Sequence, residues 1–350
     1  MKIHILYNFQ KGPWGGGNQF LKALKKEFDS QDVYEEDLEK GEVILFNSHH
    51  NLEYSFKIKQ KYPNKMIIYR LDGPISIVRG RDEAIDKILA LFNNLFVDGI
   101  IFQSNWCREQ NKKYFNISSQ YETVIHNAPD NEIFNKIGKA KFDPSGRIKL
   151  ITTSWSPNWR KGFEIYKFLD QNLDFSRYEM TFVGNSPIDF TNIKWVKSIS
   201  SEKLADVLKQ YDIYITASQN DPCSNSLIEA LSCGLPAVAL DDGGHLELVQ
   251  KGGELFSGKE DVIEKIERVA QHYYYYQSKI PEFSVKKVGQ EYYEFAERIY
   301  EDVQSDRYKP KKIGFFTRIN SYRMRLMIWR WKGVSKLRLN RLDSMKEKKW

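Results

Sequence analysis

Short β-branched or aromatic runs alternate with amphipathic stretches along the first 250 residues, and the series occurs twice. In the first half the runs are 2–8, 43–48, 66–73, 99–104 and 121–128, with helical periodicity near 18–29, 52–62, 80–96 and 105–115. Continuous apolar strands joined through helices build parallel sheets that are covered on both faces. The pattern restarts at 148–155 and continues through 178–185, 193–199, 213–218 and 237–240, with helices near 161–172, 202–210, 225–233 and 244–250. Beyond Phe256 it turns helical, over 259–279 and 284–304. The joint between the two series, 135–147 (NKIGKAKFDPSGR), combines Gly, Pro, Ser and charge as linkers do. The expected fold class is therefore α/β, with two doubly wound, Rossmann-like domains facing a cleft, over 1–140 and 147–280. A helix over 281–305 is expected to pack back towards the first domain, followed by a basic tail over 306–350. Ligands of such sheets bind outside the C-terminal ends of the strands.

Bulk properties narrow the class. Three scattered cysteines, Cys107, Cys223 and Cys233, have no metal-like spacing and point to a reducing compartment. The opening run MKIHILYNF is too short for a secretory core and reads as a first strand. No apolar run is long enough to span a bilayer. Residues 306–350 hold fifteen Lys or Arg and three Asp or Glu, a net of +12 against +7 for the whole chain, so residues 1–305 carry −5. The basic character belongs to the tail, which argues against a nucleic-acid groove in the body.

The stretch Asn220–Val249 is the most telling for chemistry. Asp221 and Pro222 lead into the small polar run Cys223-Ser224-Asn225-Ser226, and the helix that starts there carries Leu227 and Glu229. The first backbone N–H groups of such a helix are free to hold an anion, here those near Asn225, Ser226 and Leu227. Carboxylates at Asp221 and Glu229 accept hydrogen bonds from hydroxyls. A diphosphate on the helix start with sugar hydroxyls on the flanking acids describes a nucleotide sugar. Three further turns lie at strand ends. Gly15, Gly16 and Gly17 lie between the first strand and helix, where glycine lets backbone approach a ligand. Arg160 and Lys161 precede Gly162 and would neutralise a diphosphate. Gly243 and Gly244 precede His245 and Glu247, although Asp242-Gly243 also reads as a helix cap. The chain has no HExxH, no GxSxG and no Asp-x-Asp, so neither a metal nor a cofactor is expected beyond the nucleotide-sugar donor itself.

Together these motifs resemble the GT-B glycosyltransferases, in particular the retaining enzymes of family 4, over roughly 1–305. Asp221 to Glu229 is similar to the family's E-x7-E element, Lys161-Gly162 to its lysine-glycine pair, Gly15–Gly17 to its glycine loop, and 124–134 to its connector. Asp replaces Glu at the first acid, Ser156 stands where an arginine is usual, with Arg160 as its substitute, and Asp72 stands where a histidine is common. The resemblance implies transfer of a sugar from a nucleotide-diphosphate sugar to an acceptor hydroxyl, with retained anomeric configuration and no metal. Glu229 would then hold ribose, the start of the helix around Ser224–Leu227 phosphate, Arg160 and Lys161 the leaving group, and Asp221 the donor sugar. Asp72 and the glycine loop would floor the acceptor side.

In the tail, Phe315, Ile319, Tyr322, Leu326 and Trp329 form one helical stripe, bordered by Arg318, Arg325 and Lys332 on one side and Arg323 and Arg330 on the other. Residues 313–332 therefore suit an anionic membrane surface, with Met324 and Trp331 as exceptions on the far face. The expected acceptor is a glycan or lipid-linked saccharide, and the expected place is the cytoplasm, peripheral on the inner face of the cell membrane. The competing readings are a sugar-nucleotide epimerase of the same fold and a non-catalytic membrane-surface binding protein.

Overall fold

The computed structural model describes residues 1–12, 14–80 and 83–347, with side chains to residue 333. The last three residues of the 306–350 tail, 348–350, lie outside the described residues. The chain runs β1 (Ile3–Leu6), α1 (Gly16–Ser30), β2 (Val43–Asn47), α2 (Ser55–Lys61), β3 (Met66–Leu71), α3 (Ile75–Arg79), α4 (Ala84–Phe96), β4 (Gly99–Phe102), α5 (Asn105–Phe115) and β5 (Tyr121–Val124). It continues through β6 (Ile148–Ser154), α6 (Phe163–Asn172), β7 (Tyr178–Gly184), β8 (Lys194–Val196), α7 (Ser201–Leu208), β9 (Ile213–Thr216), α8 (Asn225–Ser232), β10 (Ala237–Leu240), α9 (His245–Val249) and β11 (Gly253–Phe256). Four helices close it: α10 (Val262–Gln271), α11 (Tyr273–Ser278), α12 (Val285–Gln304) and α13 (Phe315–Glu347).

The first sheet is parallel in the order β1-β2-β3-β4-β5. A single parallel bridge from Ile3 to Tyr34 lies on the other side of β1. The chain leaves β1 through α1 towards that bridge, then returns to pair β2 with the opposite edge. The winding therefore reverses at β1, and the glycine loop after β1 sits at the reversal. Residues of β2, β3 and β4 are buried throughout, the physical cause of their unbroken apolar sequence. One face is covered by α1 and α12, and the other by α2, α4, α5 and α13.

The second sheet is parallel in the order β11-β10-β9-β6-β7-β8 and reverses between β6 and β9. Two features differ from the sequence reading. The strand β11 was not expected, because only its two end residues are buried and GELF shows neither strand nor helix period. The helical run 259–279 breaks at His272 into α10 and α11; Tyr273 and Tyr276 are buried there while Tyr274 and Tyr275 face outward.

A buried ion pair fastens the end of the chain to the first sheet. Lys59 Nζ lies 3.0 Å from Asp98 Oδ2, with both side chains fully buried. Asp98 also accepts hydrogen bonds from Ile67 N at 2.8 Å, Tyr308 OH at 2.9 Å and Lys311 N at 2.8 Å. The segment that leads into α13 is thus pinned by the same carboxylate that neutralises Lys59. Asp98→Ala would leave Lys59 buried without its counter-charge, and the expected loss is about 3–5 kcal/mol in chemical denaturation. A loss under about 1 kcal/mol would contradict the pinning role.

Candidate active site

The reversal in the second sheet brings two strand ends together, and their loops carry the chemistry. After β6 the chain makes a short 3-10 turn, Trp159–Lys161, then passes through Gly162 at φ +94° into α6. A Cβ at Gly162 would lie 2.4 Å from the Ala217 Cβ and 2.7 Å from its carbonyl, so only glycine allows this approach to the end of β9. Lys161 is thereby set opposite the loop after β9, where its Nζ meets Asp221 Oδ2 at 2.8 Å. Asp221 is nearly buried. Burial alone would raise its carboxyl, yet the Lys161 ammonium and the neighbouring His245 hold it below the usual range. His245 is fully buried, its Nδ1 2.8 Å from the Leu240 carbonyl, and its Nε2 has no hydrogen-bond partner among the described residues. Burial lowers the His245 imidazole, while the Asp221 carboxylate beside it favours its charged form.

From Asp221 the chain turns into α8. Ser224 is its N-cap but makes no capping bond with its side chain, and its Oγ lies 3.3 Å from Ser226 Oγ. The amides of Asn225, Ser226 and Leu227 have no partner within the helix. Glu229 follows one and a half turns on, half-buried in a cavity of about 280 Å³ that Lys22, Lys26, Ser200 and Asn225 also line. Its carboxylate has no hydrogen-bond partner among the described residues, and burial pushes it up to about 8. Lys161 and Asp221 do not line this cavity. Asn225 lies between them and Glu229 in sequence and packs on Gly16, where an added Cβ would be 2.6 Å from its own. The first-domain loop is thus seated against α8, with Gly15 3.6 Å from Trp155 by the same measure and the Trp14 and Trp155 rings 5.9 Å apart. Gly17 faces open space.

Four residues read from the sequence as ligand-facing are used by the protein itself. The Arg160 guanidinium lies against Gly80 and donates to the Ile77 carbonyl in α3, so it bridges the domains rather than facing Asp221. Gly243 and Gly244 give room to backbone: a Cβ there would lie 2.3 Å from the Asp221 carbonyl oxygen and 2.4 Å from that of Pro222. Glu247 accepts from Asn105 N at 2.8 Å, Asn105 Nδ2 at 2.9 Å, Trp106 N at 2.9 Å and His126 Nε2 at 3.1 Å. It caps α5 across the domain boundary. Burial would raise this carboxyl, but His126 and the Asn105 and Trp106 donors bring it down to about 2.

On the first-domain side, Asp72 follows β3 with Arg70 Nη1 3.5 Å away and accepts from the Gln103 amide. Burial alone would raise its carboxyl, but Arg70 and Gln103 hold it ionised. Arg70 itself was not singled out in the sequence. It is 1% exposed, stacks on Phe20 at 4.6 Å, and donates to Asn47 at 2.5 Å, Gln103 at 2.6 Å and Asn127 at 2.7 Å. Asn127 in turn donates to Asn225 at 3.1 Å, which links this buried cation to the start of α8. The available signal was a charge inside the apolar run MIIYRL.

Residues 191–277, most of the second domain's site, match the family described as Glycosyl transferases group 1. A probable sucrose-phosphate synthase of Thermosipho melanesiensis is 25% identical over 163 residues, covering 45% of this chain and 37% of that relative. The phosphatidylinositol N-acetylglucosaminyltransferase GPI3 subunit of Saccharomyces cerevisiae is 28% identical over 189 residues, covering 47% of this chain and 40% of the relative. The matches thus span about two fifths of those relatives' own lengths. Among solved structures, HepE of Anabaena in complex with UDP and glucose superposes with a TM-score of 0.66 at 14% identity, over 85% of this chain and all of that one. Sucrose-phosphate synthase from Thermosynechococcus elongatus gives 0.63 at 12% identity, over 95% and 99%. The chain has the GT-B fold, and the resemblance read from its motifs is shown.

The Glu229 environment has a pH signature. Its folded carboxyl ionises near pH 8 and an unfolded one near the ordinary 4.5, so the folded state holds the extra proton between them. Stability must fall as pH rises through that window. Melting temperatures from pH 5 to 8 should therefore decline more steeply in the wild type than in Glu229→Gln; parallel profiles would contradict the buried environment.

Proposed function

We propose that this chain is a glycosyltransferase that moves a sugar from a nucleotide-diphosphate sugar to an acceptor hydroxyl on a glycan or lipid-linked saccharide. The observation that carries this reading is the Lys161–Asp221 pair at the sheet reversal, 2.8 Å apart, directly before the uncapped start of α8. Among the structural neighbours, HepE was solved with UDP-glucose, and a pneumococcal O-GlcNAc transferase with UDP and GlcNAc. On this reading Glu229 ionises as it accepts the ribose hydroxyls, and the amides of Asn225, Ser226 and Leu227 hold phosphate. Lys161 exchanges part of its contact with Asp221 for the diphosphate and stabilises the charge that develops as it leaves. Asp221 accepts from the donor sugar's hydroxyls and fixes its pose. Gly15, Gly16 and Gly17 shift from Asn225 and Trp155 to admit the donor.

The transfer balances without a metal or cofactor. The acceptor oxygen bonds to the anomeric carbon as the carbon–oxygen bond to the β-phosphate breaks, and the acceptor proton passes to a phosphate oxygen on the same face. That route retains the anomeric configuration. Asp72, held ionised by Arg70, lies on the acceptor side and orients the incoming hydroxyl rather than being required as the base. Arg160 serves the domain contact, so Lys161 is the one cation of its turn assigned to the leaving group. The enzyme works at the cytoplasmic face of a membrane on this reading.

The test is turnover with a panel of nucleotide sugars, read as released nucleotide diphosphate and by analysis of the sugar product. Donor hydrolysis or transfer is expected, reduced by about 10²–10³ in Lys161→Ala, the range for loss of one preorganised charge donor. A free epimeric nucleotide sugar with no diphosphate released would establish the epimerase instead. No conversion of any donor, with Lys161→Ala indistinguishable from wild type, would leave only a binding protein.

A further inference from the structure

The helix α13 has two apolar faces, and the protein uses one. Ser321, Met324 and Ile328 are buried against the first domain, joined by Met327 and Trp331 in the cluster that covers α4. Met324 and Trp331, exceptions to the stripe read in the sequence, thus belong to this inner face. The stripe itself points the other way: Phe315 is 74% exposed, Ile319 52%, Tyr322 59%, Leu326 48% and Trp329 72%, and Phe316, also exposed, lies to one side of it. At 100° per residue the two sets lie on opposite sides of the helix. Packing explains the inner face and, apart from Tyr322, whose ring lies 6.1 Å from that of Phe56, leaves the outer one without an internal ring contact among the described residues; a contiguous apolar patch of this kind marks an interaction surface.

Charge decides what covers it. Arg318 and Arg325 run along one border of the stripe, and Arg323 and Arg330 along the other. None of these four arginines has an acidic partner among the described residues. An isologous pairing of this face with a second copy would bring like-charged borders together, which opposes self-association. A sheet of anionic headgroups over apolar chains meets both demands: aromatic and aliphatic side chains enter the interface while the arginines stay at the phosphate level. We propose that the outer face of α13 docks this protein on an anionic lipid bilayer, with Trp329, Phe315 and Phe316 inserted and the four arginines on headgroup phosphates.

The fold aims that surface. Trp331 packs edge-on at 6.0 Å on His49, and Lys332 reaches Glu53 at 2.5 Å, both in the loop after β2. That loop lies at the C-terminal end of the first sheet, where His50 packs on Tyr7 at 5.2 Å. The docked bilayer would thus lie beside the first-domain side of the cleft. The surface assignment stands apart from the glycosyltransferase reading, since vesicle binding needs no donor.

Cosedimentation of the full chain with vesicles tests it, comparing phosphatidylcholine alone with phosphatidylcholine plus phosphatidylglycerol. Partitioning should rise at least about tenfold with the anionic lipid and fall again at high salt. The paired change Ile319→Glu with Trp329→Glu should abolish it, and Arg323→Glu with Arg330→Glu should reduce it about tenfold or more. All four positions are exposed, so melting temperature should stay at the wild-type value and an unfolded variant would be recognised. Equal binding of wild type and variants, or binding that ignores anionic lipid, would overturn the proposal. So would a concentration-dependent dimer that the Ile319→Glu with Trp329→Glu change dissolves, which would give the face to a second copy.

Discussion

The cleft is organised by close approaches to the chain leaving β9, made from one side by the chain leaving β6 and from the other by the chain leaving β10. Three glycines make them possible. Gly162 clears the end of β9, while Gly243 and Gly244 clear the backbone of Asp221 and Pro222. A single methyl group at any of them would lie 2.4 Å or less from its neighbour, and a packed interior absorbs no such displacement without cost. Lys161, Asp221 and the start of α8 inherit their positions from this arrangement. The ion pair that results is half-open to solvent on the lysine side, with 34% of that side chain exposed, which leaves the ammonium able to exchange one anion for another.

The two domains are joined by polar contacts, each made by a residue that could have faced a ligand. Glu247 caps α5, Arg160 reaches α3, and Asn225 packs on Gly16. The deepest of these connections runs from Arg70 through Asn127 to Asn225. A guanidinium buried this far requires all its acceptors, so the floor of the cleft and the start of α8 behave as one polar network. The loop at Gly15–Gly17 meets Asn225 and Trp155 and has an open side at Gly17.

Much of this was legible from residues alone, for identifiable reasons. Buried parallel strands carry unbroken apolar runs, so both sheets could be read; β11, buried only at its ends, could not. The meeting of Lys161 and Asp221 follows from their positions after two neighbouring strands, whereas the separate cavity that holds Glu229 is made partly by the first domain and has no sequence signal. Strand-end position does not say whether a group faces a ligand or the other domain, and this is why Arg160, Gly243, Gly244 and Glu247 were assigned to substrate. Arg70 was visible only as a charge in an apolar strand, and its partners come from three distant segments. In α13 the outer stripe was plain from its spacing, whereas the inner face looked like an imperfection until its packing surface was known.

The central claim is that the start of α8 and its flanking acids grip a nucleotide diphosphate. Calorimetric titration of nucleoside diphosphates near pH 7, in two buffers of different ionisation enthalpy, tests it most directly. Burial pushes Glu229 up to about 8, and hydrogen bonds from ribose hydroxyls favour its ionised form, so binding should release protons in the wild type and none in Glu229→Gln. Heat that is absent for every nucleotide, or binding with no proton released, would contradict the account.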